Sequence, residues 1–158
     1  MTKILITGMS GTGKSTVMRI LQQRGYAIAE TDDSGWCVPA DGDRSTPDNE
    51  WIWDEDRIGE LLDQYEHAKL FVDGCRPNQG AFYDRFDHVV VFVAPIEVML
   101  DRIASRTTNP YGQSEAEQAA IRQDKHKIEP LLISGADLVI DTLIATPDST
   151  AEQLIALL

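Results

Sequence analysis

Apolar residues in this chain gather into short unbroken runs rather than strict alternation. KILIT at 3–7, AIAET at 27–31, LFVD at 70–73, VVVFV at 89–93 and LVID at 138–141 are five such runs. Continuous runs of this length suit strands covered on both faces, as in a parallel sheet. Helical spacing fills the gaps: Val17, Ile20 and Leu21 share a face, as do Ile58, Leu61, Leu62 and Tyr65, and Ile96, Met99, Leu100 and Ile103. Ser114 with Glu117, and Ser149 with Glu152, each have capping-box spacing and predict helix starts. Pro95 is expected in the first turn of a helix, and Pro130 is expected to end or kink the helix that begins at Ser114. Strands alternating with helices predict an α/β, doubly wound sheet with right-handed crossovers.

Two polar excursions interrupt this alternation. Residues 34–55 contain Asp-Gly and Thr-Pro turn pairs, and residues 106–113, RTTNPYGQ, contain Asn-Pro and Gly. Excursions of this kind inside a small domain are expected to be binding loops or lids. At 158 residues the chain is expected to form a single domain, 1–158, with a binding loop at about 34–55 and a short lid at about 106–113.

Charge narrows the partners. Against 14 Lys and Arg stand 26 Asp and Glu, a formal net charge of −12. Such a balance argues against nucleic acid or an anionic membrane as partner, because both require a basic face. Cys37 and Cys75 are too few for a disulfide framework, and no apolar run approaches a membrane span. The expectation is a soluble, cytoplasmic monomer or homodimer that acts on a small molecule.

The chemistry starts at residues 8–16, GMSGTGKST, which fit GxxxxGK(S/T) at every fixed position between a predicted strand and a predicted helix. Gly8, Gly11 and Gly13 let the backbone wrap round phosphate oxygens, with N–H groups and the helix N-terminus aimed at the anion. Lys14 serves as a point charge for the β- and γ-phosphates, Ser15 offers a hydroxyl to Mg²⁺, and Thr16 supports the α-phosphate. ATP and Mg²⁺ are the cofactors this implies. The base-reading Asn/Thr-Lys-x-Asp motif of GTPases is absent from the sequence, which favours ATP.

Ligands of open α/β sheets bind beyond the carboxyl ends of the strands. The second predicted strand ends in Glu30-Thr31-Asp32-Asp33 and the third in Asp73-Gly74-Cys75-Arg76. Asp32 is the candidate to orient or deprotonate an acceptor hydroxyl, and Asp73 the candidate to hold the metal. Asp33, Gly74 and Arg76 would border the acceptor. Arg102 and Arg106 lie one helical turn apart after the fourth strand; Arg106 is the candidate clamp on the transferring group, with Arg102 beside the nucleotide. Trp36 is placed to stack on an acceptor, whereas Trp51 and Trp53 read as a small satellite core. Asp41, Asp43, Asp48 and Glu50 read as a solvated hairpin tip. His67, His88 and His126 lack ligand-like spacing.

Together these motifs resemble the small P-loop kinases, the superfamily that includes shikimate, gluconate, adenylate and cytidylate kinases. The resemblance runs through GMSGTGKST, ETDD, VDGCR, DRIASR and ADLVIDT. It implies a three-layer fold with a five-stranded parallel sheet in the order 2-3-1-4-5 and helices on both faces. It also implies an acceptor-binding insert after the second strand and a lid after the fourth. ETDD is similar to the acidic motif of shikimate kinases, which makes Asp32 the catalytic aspartate and Glu30 a metal-side acid; in that likeness Ala145-Thr146-Pro147 lie near adenine. VDGCRPNQG stands where those enzymes have a glycine triplet and is closer to the Asp-Gly-Phe-Pro-Arg motif of adenylate kinases.

The leading expectation is a kinase acting on a hydroxyl of a small polar metabolite. The alternative is a nucleoside monophosphate kinase in which Arg57 and Arg76 grip the acceptor phosphate. A third reading, from another class, is a nucleotide-dependent switch with no acceptor.

Overall fold

In a computed structural model, residues 1–47, 50–107 and 110–158 are described. Asp48 of the expected acidic tip, and positions 108–109 of the expected lid, lie outside the described residues. The elements run β1 (Lys3–Gly8), α1 (Lys14–Gln23), β2 (Ala27–Glu30), β3 (Cys37–Pro39), β4 (Trp51–Trp53), α2 (Glu55–Gln64), β5 (Leu70–Asp73), a 3₁₀ segment (Gln79–Arg85), β6 (His88–Val93), α3 (Ile96–Ser105), α4 (Glu115–Ser134), β7 (Leu138–Asp141) and α5 (Pro147–Ile155).

The five long apolar runs form one parallel sheet, ordered β2-β5-β1-β6-β7. Counting only these five strands, the order is 2-3-1-4-5, as the resemblance implies. The labels shift because residues 37–53 add an antiparallel pair, β3 and β4, outside the sheet. Three-residue strands carry too little pattern to be read from sequence.

Alternate residues of each strand feed opposite layers, so in the inner strands β1, β5 and β6 an apolar run is buried whichever way its side chains point. On one face Ile4, Ile6, Phe71, Val90 and Phe92 pack with Val17, Met18 and Leu21 of α1 and Ala151 and Leu154 of α5. On the other, Leu5, Leu70, Val72 and Val89 meet Ile58, Leu61 and Leu62 of α2, together with Trp51, Trp53, Phe82 and Phe86. Val91 joins Met99, Leu100 and Ile103 of α3 and Ile121 and Leu132 of α4. The tryptophan pair is therefore part of the main core and not a satellite: Trp53 is completely buried and meets Phe82 edge-on at 5.8 Å.

Ser114 and Glu117 form the expected capping box of α4. Three local expectations need correction. Thr146, not Ser149, caps α5: its hydroxyl accepts from the Ser149 N–H at 3.1 Å, Pro147 occupies the first turn, and Glu152 pairs with Arg24 instead. Pro95 is the residue just before α3, which starts at Ile96. Pro130 does not end its helix, which continues to Ser134; Pro130 and His126 are both exposed, so water can satisfy the carbonyl that proline leaves without a donor.

Candidate active site

Strand register levels the functional groups. Ile6 and Glu30 both pair with Asp73, so the carboxyl ends of β1, β2 and β5 open on one side of the sheet. β1 runs two residues further, to Gly8 opposite Phe92, and the glycine loop springs from there. A cleft of about 890 Å³ lies over these ends. Gly11, Gly13, Lys14, Ser15, Thr16, Asp32, Asp33, Asp73, Arg102 and Arg106 all line it, so most of the sequence-predicted site residues are brought together.

The loop glycines have two separate reasons to be glycine. At Gly8 a Cβ would lie 2.5 Å from the Phe92 carbonyl oxygen, and at Gly11 2.6 Å from that of Met99. Both hold the loop against β6 and α3 at a distance no side chain permits. Gly13, with φ of 94°, begins α1 in the left-handed region and opens onto the cleft. Lys14 Nζ donates to the carbonyl oxygens of Gly8 (2.7 Å) and Met9 (3.2 Å), folding the ammonium over its own loop.

Asp73 is the buried acid of the cleft, 5 % exposed, and its Oδ1 has no hydrogen-bond partner among the described residues. Burial pushes its pKa up to about 7; Lys14 opposes the rise, while Asp32 and Glu30 add to it. A desolvated carboxylate oxygen with no donor, facing a cleft that Ser15 also lines, fits a hard divalent cation. No group of three or more His, Cys, Asp or Glu among the described residues forms a closed metal cage. Mg²⁺ at a nucleotide site needs only one or two protein ligands, the rest coming from phosphates and water.

Asp32 is half-exposed, and its Oδ1 accepts from the Cys75 N–H at 2.9 Å. Asp33 turns its carboxylate back onto the Gly35 N–H at 2.8 Å while still lining the cleft. Arg102 ties three segments together: Nη1 donates to Gly11 O (3.3 Å) and Thr142 Oγ1 (2.9 Å), and Nη2 to Thr142 O (2.8 Å). Arg106 ends α3, donates to Tyr111 O at 2.7 Å, and has its pKa lowered by burial.

The remaining predicted residues stand outside the cleft lining. Gly74 is sealed beneath the site, where a Cβ would be 2.4 Å from Thr31 Oγ1 and 3.0 Å from Trp53 Cζ2. The Arg57 guanidinium lies 6.0 Å from the centre of the Trp36 ring and donates to Gly35 O; the two residues border a separate groove of about 200 Å³ with Glu60 and Gln64. Arg76 pairs with Asp32.

Arg19, Thr142 and Thr150 line the cleft and Gln79 braces it, none of them singled out from sequence. Thr142 was findable: it follows β7 directly, and the strand-end rule that picked Asp32 and Asp73 applies equally there. Gln79 carries no motif; its burial comes from the 3₁₀ segment, which the apolar pattern did not reveal.

A parallel sheet in the order 2-3-1-4-5, a glycine loop opening α1, and acids at the ends of β2 and β5 are the features of the small P-loop kinase superfamily. Residues 4–123, well over half of the chain, match the family described as AAA domain, and the chain belongs to that family. A shikimate kinase of Francisella philomiragia is 25 % identical over 164 aligned positions, which cover 96 % of this chain and 91 % of that protein. The structure of shikimate kinase from Acinetobacter baumannii in complex with shikimate has a TM-score of 0.68 at 22 % identity, with 99 % of this chain and 92 % of that one covered. For shikimate kinase from Bacteroides thetaiotaomicron the TM-score is 0.62 at 16 % identity, with 99 % and 97 % covered. These structural likenesses establish the fold.

Proposed function

We propose that this protein is an ATP- and Mg²⁺-dependent kinase that phosphorylates a hydroxyl of a small polar metabolite. One observation carries the reading: the glycine loop with Lys14, the carboxylate of Asp32 and the buried carboxylate of Asp73 converge on a single cleft. In the reaction the acceptor oxygen forms a bond to the γ-phosphorus as the bond from that phosphorus to ADP breaks, and the acceptor proton passes to Asp32. The loop N–H groups and the N-terminus of α1 bind the phosphates. Lys14 leaves the carbonyls it now caps and follows the transferring group. Ser15 and Asp73 would hold Mg²⁺, whose charge would offset that of the phosphates. Arg106, in the lining of the cleft, adds positive charge where the transition state accumulates negative charge.

The test is ADP release from Mg·ATP, alone and with nucleoside monophosphates, nucleosides, sugar acids and cyclitols as acceptors. One acceptor class should accelerate release, and Asp32→Asn should remove the acceleration. Lys14→Ala should lower kcat/KM by about a hundredfold or more, the scale of losing one preorganised electrostatic partner. Unchanged turnover in Lys14→Ala would remove the phosphate-loop assignment, and slow release indifferent to every acceptor would shift weight to a nucleotide switch.

A further inference from the structure

We propose that Arg76 is a positioning residue for Asp32, holding the carboxylate at the acceptor hydroxyl rather than gripping an anionic group of the acceptor. The inference rests on the kinase reading above and deepens it. The Arg76 side chain is only 15 % exposed, against 45 % for Asp32, so the guanidinium lies beneath the carboxylate and not above it in the cleft. Its Nε stands 3.3 Å from Asp32 Oδ1, and its Nη2 donates to the Asp32 carbonyl oxygen. The same Oδ1 accepts the Cys75 N–H at 2.9 Å. Among the described residues, the contacts of Arg76 Nε and of the Cys75 N–H both fall on Oδ1, and Oδ2 is assigned to the acceptor.

The base of this arrangement is itself fixed. Gln79, 3 % exposed, accepts the Arg76 N–H at 2.9 Å. Its amide donates to Thr7 Oγ1 (3.0 Å) and Tyr83 OH (2.9 Å), so the turn carrying Arg76 is bolted to β1 and to the 3₁₀ segment. The guanidinium makes an ion pair with the carboxylate and a directed hydrogen bond to the carbonyl of the same residue, so it fixes orientation as well as charge, which an ammonium does less well.

The experiment measures kcat and acceptor KM separately for wild type, Arg76→Ala and Arg76→Lys, using the acceptor that most accelerates ADP release. Circular dichroism checks folding. Arg76→Ala should lower kcat about tenfold or more with acceptor KM within about twofold of wild type, the pattern of a loss felt only in the transition state. Added guanidinium ion should restore part of that rate, and methylammonium at the same concentration should not. Arg76→Lys should fall between the two at unchanged KM and carries the test if the alanine variant fails to fold. A rise in acceptor KM with kcat retained would overturn the inference in favour of an anion grip and leave the kinase reading standing. Equal rescue by both cations, or no change in either constant, would also overturn it. If wild type shows no Lys14-dependent ADP release, the kinase reading falls first and this inference with it.

Discussion

At the scale of single residues, the site depends on side chains held where water would not leave them. Asp73 is the clearest case. Its pKa of about 7 in the folded chain lies above the ordinary value of 3.8 for an unfolded one, and burial is the main cause. Between those values the folded state keeps a proton that the unfolded state has released. Stability from this group is therefore complete below about pH 4 and is lost as pH rises through about 7. A shift of this size corresponds to roughly 4 kcal/mol at most. Urea unfolding in EDTA at pH 5 and pH 8 should show wild type losing stability across this window more steeply than Asp73→Asn. Parallel slopes for the two proteins would show that Asp73 is not the group responsible. The prediction belongs to the residue because the desolvated atom is one oxygen with no donor among the described residues.

At the scale of elements, the β3–β4 hairpin joins the Asp32 side of the cleft to the core. Trp53 fills the space under Gly74, and Asn78 brackets it on both sides of the backbone: its Oδ1 accepts the Trp53 N–H at 2.9 Å and its Nδ2 donates to Trp53 O at 3.0 Å. Trp53→Ala should cost about 3–5 kcal/mol, the range for emptying a buried aromatic site. Trp53→Phe should cost distinctly less, because the indole N–H is buried with no acceptor among the described residues and its removal leaves nothing unsatisfied. Denaturant midpoints for the two variants check the order; an equal loss would mean that the ring volume matters less than the hairpin geometry. The insert was legible as an excursion from its turn pairs and its acidic stretch as a hairpin tip, but the two strands that carry that tip were not. Two three-residue strands become strands only by pairing with each other, and their tryptophans look like loop anchors until the sheet beneath them is known.

At the scale of the whole molecule, the cleft is shared between parts of the chain far apart in sequence. Arg102 joins α3 to the glycine loop and to the segment after β7, and Thr142 Oγ1 donates to Thr12 O at 2.7 Å. A ligand that binds this cleft only in the folded state should stabilise the entire chain, by about 2.7 kcal/mol at a hundredfold excess over its Kd. Thermal unfolding with and without Mg·ATP should show that gain in wild type and a smaller one in Arg102→Ala at the same nucleotide concentration. An equal gain in both would show that the three-way tie does not support nucleotide binding.

Sequence alone determined what depends on neighbours along the chain. The five apolar runs are strands of one sheet, of which β1, β5 and β6 are buried on both faces while the edge strands β2 and β7 are only partly covered, and the glycine-lysine loop is recognisable because its groups must follow one another to wrap a phosphate. Helix starts were legible where a cap and its partner are three residues apart, as at Ser114 and Glu117. They were misread where two residues of the right type, Ser149 and Glu152, had another cap just upstream in Thr146. Only the tertiary structure decided what depends on meetings across the chain. The Arg76–Asp32 pair spans 44 positions, Gln79 reaches Thr7 across 72, and Arg102 reaches Gly11 across 91. Nothing local encodes such contacts, because they exist only once the strand order has brought the ends of β1, β2, β5 and β7 to the same side of one sheet.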